Sequence, residues 1–209
     1  MNRIVFAMTL LSASCLLAVA QQPKPTGGMS EAQWRSVLVA VSNEEWGTAV
    51  ELSSKFLKQL KEDDERLPRL RYIYLYAAAG KVSEGGMSFD ELGQSLKDFI
   101  GKEVVLPYHP IARHCRGDLN FICPVEGGKD QLVVTATNKA GTTIHAFEYA
   151  QLKETFDLAG HDGEEASISG TIDTIQPNPN KSRFLVMRMY ISGASVSLKK
   201  RESQKAGIK

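Results

Sequence analysis

Gly101-Lys102-Glu103-Val104-Val105-Leu106 marks the place where the chain changes its period. Upstream, apolar residues recur every three or four positions, as they do along one face of a helix. Downstream, they alternate at a step near two, as they do along one face of a strand. The chain therefore reads as α+β. Antiparallel helical hairpins are followed by a small antiparallel β-barrel, or by an open antiparallel sheet that the helices cover.

Working back from Gly101, the last helix carries Leu92, Leu96, Phe99 and Ile100 on its buried stripe, and Ser88-Phe89-Asp90-Glu91 opens it with capping-box spacing. Before it, Leu70 to Ala79 forms a helix rich in tyrosine, with Pro68 suited to the first turn. Tyr72 and Tyr76 share one face and Tyr74 turns away. A charged run, Lys61 to Arg66, closes a helix striped by Trp46, Ala49, Val50, Phe56, Leu57 and Leu60, for which Asn43 is the expected cap. Ser30-Glu31-Ala32-Gln33 is a second capping box, and Trp34, Val37, Leu38 and Val41 follow on one face.

Working forward, Val104 to Leu106, Leu119 to Ile122, Gln131 to Thr137, Thr142 to Phe147, Ser167 to Ile175 and Phe184 to Ile191 read as strands. Glu126-Gly127-Gly128-Lys129 and Asn138-Lys139-Ala140-Gly141 have turn chemistry, since glycine and asparagine accept positive φ at little cost. Pro177-Asn178-Pro179-Asn180 is a longer loop, because neither proline fits inside a central strand.

Trp34 and Trp46-Gly47-Thr48-Ala49-Val50, with Leu70 opening a helix about one repeat length later, resemble a tetratricopeptide-like array over residues 30–100. An ordinary helical bundle packed on the second half is the alternative. Gly101 to Leu106, Ile168-Ser169-Gly170-Thr171-Ile172-Asp173 and Phe184-Leu185-Val186-Met187 together resemble an OB-fold domain over residues 101–198. That resemblance implies a barrel in which Gly170 lets a strand bend sharply enough to close the sheet. It also implies that single-stranded nucleic acid or oligosaccharide is the ligand class to weigh, with Lys181, Phe184, Arg188 and Tyr190 as the contributing residues.

The two ends of the chain are different in kind. Arg3, the apolar run from Ile4 to Leu17 and Ala18-Val19-Ala20 have the layout of a secretory signal peptide over residues 1–20. Lipidation at Cys15 and retention as an anchor are the alternatives. Leu11 stands four positions before Cys15 instead of three, and the apolar run is shorter than the roughly 20 residues a spanning helix needs. Residues 21–29, with two prolines and two glycines, read as a flexible linker. Lys199-Lys200-Arg201, Lys205 and Lys209 make residues 199–209 a basic tail. Losing Arg3 from the 25 basic residues would leave 24 against 24 acidic ones. Such a balance disfavours nucleic acid as a partner and gives no field for anionic membrane. No transmembrane segment is expected in the mature chain, which is placed in the periplasm or secreted.

In an oxidising compartment Cys115 and Cys123, flanking Gly117-Asp118, most simply form a disulfide that closes a short loop. On the chain-entropy view it is worth about 2.5 kcal/mol. A metal site using His114, Cys115, Cys123 and His109 is the competing reading. It lacks any Cys-x-x-Cys or His-x-x-x-His pair, and neighbouring strand residues point to opposite faces. His161-Asp162-Gly163-Glu164-Glu165 gathers carboxylates but departs from the calcium-loop pattern and reads as a solvated turn. His145 reads as a packing residue in its strand. Phosphate-loop, Gly-x-Ser-x-Gly and His-Glu-x-x-His motifs are missing, so no cofactor, metal or catalytic residue is expected. The leading expectation is a non-catalytic interaction or scaffold protein of the cell envelope or periplasm. Trp34, Trp46, Tyr72 and Tyr76 would meet the partner, another envelope or secreted protein. A ligand-binding OB-like module is the second reading and an enzyme of unrecognised type, using His109, His114 or the 161–165 cluster, the third.

Overall fold

Ser30 opens the first helix as its spacing predicts. In the computed structural model, which describes residues 28–114 and 119–200, its hydroxyl accepts the Gln33 N–H at 3.2 Å. The Gln33 amide oxygen accepts the Ser30 N–H at 2.8 Å in return. The expected leader and the rest of residues 1–27, Cys15 among them, lie outside the described residues, as do Cys115, the Gly117-Asp118 turn and the tail from Arg201 onward. Met29, assigned to the linker, is buried against Val37, Phe56 and Leu70.

Four helices follow one another. They are α1 (Glu31–Ser42), α2 (Trp46–Leu57), α3 (Leu67–Ser83) and α4 (Phe89–Leu96). Asn43 does not cap α2. It ends α1 instead, and Glu44 turns the chain with a φ of 60° before Glu45 leads into α2. Pro68 sits in the first turn of α3, where its missing N–H costs nothing. Ser88 and Glu91 complete the second capping box at α4. Helix α3 is the hub. It is buried almost all round, because α2 covers one side and the sheet the other.

Seven strands form one sheet: β1 (Glu103–Val105), β2 (His109–Pro110), β3 (Cys123–Pro124), β4 (Gln131–Thr137), β5 (Ile144–Leu152), β6 (Glu165–Pro177) and β7 (Leu185–Leu198). The order is β1-β6-β7-β5-β4-β3, with β2 pairing further along the same edge of β6. Two expectations are corrected here. The sheet is mixed, because β7 runs parallel to β5 while pairing antiparallel with β6. Side-chain alternation reports which face a residue takes and says nothing of which strand lies alongside, so this reversal was invisible. Nor does the sheet close into a barrel. Among the described residues its two ends meet only at the isolated bridge between Ile111 and Ile122. The expected strand Leu119–Ile122 is interrupted because Asn120 takes a φ of 66°, and extended pairing starts only at Cys123.

Gly170 lies at a register shift between β6 and β7. A Cβ there would come within 2.6 Å of Ile191 and 2.9 Å of the Ser192 carbonyl, so glycine permits the close approach of the two strands. Tyr72, Leu75, Leu92 and Leu96 from the helices share one apolar cluster with Val104, Leu132, Ile168, Met187 and Ile191 from the sheet. A smaller cluster of Ala40, Trp46, Ala49 and Ala77 ties α1 and α2 to α3. No helix among the described residues is long and apolar enough to cross a membrane.

Candidate binding cleft

A cleft of about 410 Å3 opens where α1 and α3 face the link between β1 and β2. Its walls follow from helical periodicity: Trp34, Leu38 and Val41 lie on one face of α1, and Arg69, Tyr72, Ile73 and Tyr76 on one face of α3. The opposite wall is the extended run Val105-Leu106-Pro107-Tyr108-His109. Asn120, Ala136 and Thr137 complete the lining. Leu38 and Tyr108 stay 42% and 40% exposed at its rim, which for large apolar groups marks an unsatisfied surface.

The floor is pinned by tyrosine hydroxyls. Tyr72 donates to Glu148 Oε1 at 2.6 Å, and Tyr76 donates to the Thr137 carbonyl at 2.6 Å. Glu148 lies on the inward face of β5, and full burial lifts its carboxyl to about 8, so at neutral pH it is protonated. Burial also pushes the Tyr76 hydroxyl up to about 12 and the Tyr72 hydroxyl well above its ordinary range. His145 reaches the same joint by a different device. Thr137 pairs with Ile144 and Ala136 with Ala146, leaving His145 as the bulged residue of β5. The bulge aims its ring inward, against Trp46 at 5.0 Å and Tyr76 at 4.9 Å. Desolvation lowers its pKa to about 4, and neither ring nitrogen has a hydrogen-bond partner among the described residues.

His109, raised earlier as a metal ligand or catalytic group, sits in the cleft wall. A carbonyl can only accept, so Nδ1–H donates to the Asn120 oxygen at 3.1 Å, and burial lowers the ring's pKa. Asn120 is held in turn by Thr135 and Thr137. Arg69, which no motif or period singles out in the sequence, makes no hydrogen bond or ion pair among the described residues. Nearby, Arg66 at the cap position of α3 pairs with Glu31, and Arg71 in its first turns pairs with Glu62.

The four aromatic residues expected to face a partner are split by the fold. Trp34 and Tyr76 line the cleft, and Tyr72 is buried in its floor at 4% exposure. Trp46 is 3% exposed, its ring lying on Gly80, so it packs the joint and offers no surface. None of Lys181, Phe184, Arg188 and Tyr190 lines the cleft. Lys181 pairs with Asp90 at 3.1 Å and Phe184 is 75% exposed. Arg188 and Tyr190 stand on one face of β7, opposite Phe147 and Tyr149 of β5. The Tyr149 and Tyr190 rings stack at 5.0 Å beside a hollow of about 180 Å3 that includes Gln131, Asp173 and Ser192.

Cys123 is disulfide-bonded, and Cys115 is outside the described residues. In the 161–165 turn, Asp162 accepts the Arg113 N–H at 3.0 Å, His161 lies 3.3 Å from Glu164, and Glu165 pairs with Lys199. Among the described residues no three His, Cys, Asp or Glu side chains converge as metal ligands would. The signal that would have found Glu148 was present. It is a carboxylate at an inward step of a strand whose neighbouring inward residues are Ala146 and Ala150. No family model, no curated protein and no solved structure matches this chain.

Proposed function

We propose that this is an exported, non-catalytic interaction protein of the cell envelope or periplasm, acting by seating an apolar group of its partner in the cleft between α1, α3 and the β1–β2 link. The observation that carries the reading is the cleft itself. It is a concave apolar surface of about 410 Å3, with Leu38 and Tyr108 exposed at its rim and few polar groups on its walls. The signal-like leader and the disulfide at Cys123 support export, since disulfides persist in oxidising compartments. Nile red, a neutral apolar dye, tests the site: the protein is expected to raise its emission, and Leu38→Asp or Tyr108→Asp to weaken binding at least tenfold. Leu38 and Tyr108 are half-exposed, so both variants keep the core. A protein that leaves the dye dark, or variants that bind it equally well, would exclude the cleft.

A second reading rests on the outer sheet face. The stacked Tyr149 and Tyr190 rings, with Arg188 on the same face of β7 and the exposed Phe184 just before the strand, make an aromatic surface with one cation, of the kind that oligosaccharide or single-stranded nucleic acid stacks on. Calorimetric titration with chitotetraose and with oligothymidylate decides it. Tyr190→Ala should abolish binding of whichever ligand gives heat, and silence from both removes the reading.

A further inference from the structure

Resting on the reading of the cleft as a recognition site, we infer that its occupant is a small amphiphilic carboxylate. The apolar chain lies between α1 and the β1–β2 link, and the head group pairs with Arg69. Three observations converge. First, Arg69 is an exposed residue among those lining an apolar cleft and makes no hydrogen bond or ion pair among the described residues, whereas Arg66 and Arg71 are each engaged by a carboxylate and a backbone carbonyl. Its planar fork matches a carboxylate in two parallel bonds, and its stem can lie along the apolar wall while the head stays wet. Second, no aspartate or glutamate among the described residues lines the cleft, so an anionic ligand meets a guanidinium with no carboxylate beside it on the wall. Third, about 410 Å3 lies in the range of small-ligand sites, roughly 300–1,000 Å3. Among the described residues that line it, Leu38 and Tyr108 are the exposed large apolar groups, and the volume between them admits an apolar chain.

The experiment displaces Nile red from the full protein with decanoate and with 1-decanol, which share the chain and differ in the head group. Decanoate is expected to displace the dye at a roughly tenfold lower concentration than decanol, with the advantage shrinking as salt is raised. Arg69→Gln should bring the two concentrations together, and Arg69→Lys should keep part of the difference. Decanol serves in each variant as the measure of an intact cleft. Decanoate no better than decanol, or an advantage that survives Arg69→Gln, overturns the inference while leaving the cleft as the site of binding. Dye that binds but yields to neither compound also overturns it and points to a protein segment as the occupant. Dye that never binds removes the reading on which the inference stands.

Discussion

Glu148 and His145 share one buried joint and respond to pH in opposite senses. Glu148 has a folded pKa of about 8 against an ordinary 4.5, raised by desolvation. The folded state therefore holds a proton that the unfolded chain has released. Its contribution to stability is complete below about pH 4.5 and is lost as pH rises toward 8. His145 is the reverse: its folded pKa of about 4 lies below an ordinary 6.5, so stability is lost as pH falls from 6.5 to 4. The two slopes oppose each other up to about pH 6.5, and above it only the glutamate's remains. The expected result is a loss of about 2 kcal/mol in unfolding free energy between pH 6.5 and 8, measured by urea denaturation. Glu148→Gln keeps an acceptor for the Tyr72 hydroxyl but cannot ionise, so its stability should stay flat over that interval. A native protein equally stable at both pH values would show that Glu148 is not held protonated.

Among the elements, α3 depends on a residue that helix propensity would reject. Gly80 lies in its last turns, and a Cβ there would sit 2.4 Å from the Trp46 ring. Alanine usually favours a helix over glycine by about 1 kcal/mol. Here overpacking should win, so Gly80→Ala is expected to destabilise by about 2 kcal/mol, read as a lowered thermal midpoint. A raised midpoint would mean that Trp46 can move aside. At α4, Ser88→Ala removes both the cap for the Glu91 N–H and the hydroxyl donated to its carboxylate. It should cost about 1 kcal/mol, checked by the same melt. Both capping boxes were legible because they are local: Ser30 with Gln33 and Ser88 with Glu91 need only their own four residues. Asn43 was misread for the same reason. Its chemistry suits a cap, but Trp46 packs against Tyr76, His145 and Gly80, and α2 starts two residues further on, with Glu45 at its cap position.

Across the whole molecule, helices and sheet are stabilised by the same apolar cluster, in which Tyr72, Leu75 and Leu92 touch residues of the sheet layer. One cooperative unfolding step is expected, with tryptophan emission (Trp34 and Trp46, both in the helical half) and far-UV circular dichroism changing together. Two separated transitions would show that the sheet half stands alone. Residues 101–200 expressed without the helices should not fold, since the faces of Glu148, Leu132 and Ala146 would lie open to water. The cleft belongs to this scale too. It is made from one face of α1, one face of α3 and a link some thirty residues further on, as the spacing of Trp34, Tyr76 and Tyr108 makes plain. Trp34, Tyr72 and Tyr76 could be picked out by type and period. Arg69 could not, because what singles it out is that, among the described residues, it lacks partners such as Arg66 and Arg71 have.

Period and capping chemistry act over three or four residues. For that reason the order of amino acids alone determined the helices before Gly101, the strands β1, β4, β5, β6 and β7 after it, the two capped starts and the inward stripe of most elements. Which strand lies beside which is a different kind of question. The parallel seating of β7 on β5, the single bridge at Ile111 and Ile122, and the inward turn of His145 each depend on competition among distant segments for one shared core. Alternation is identical for parallel and antiparallel neighbours, so only the packed tertiary structure, by burying α3 between α2 and the sheet, could decide them.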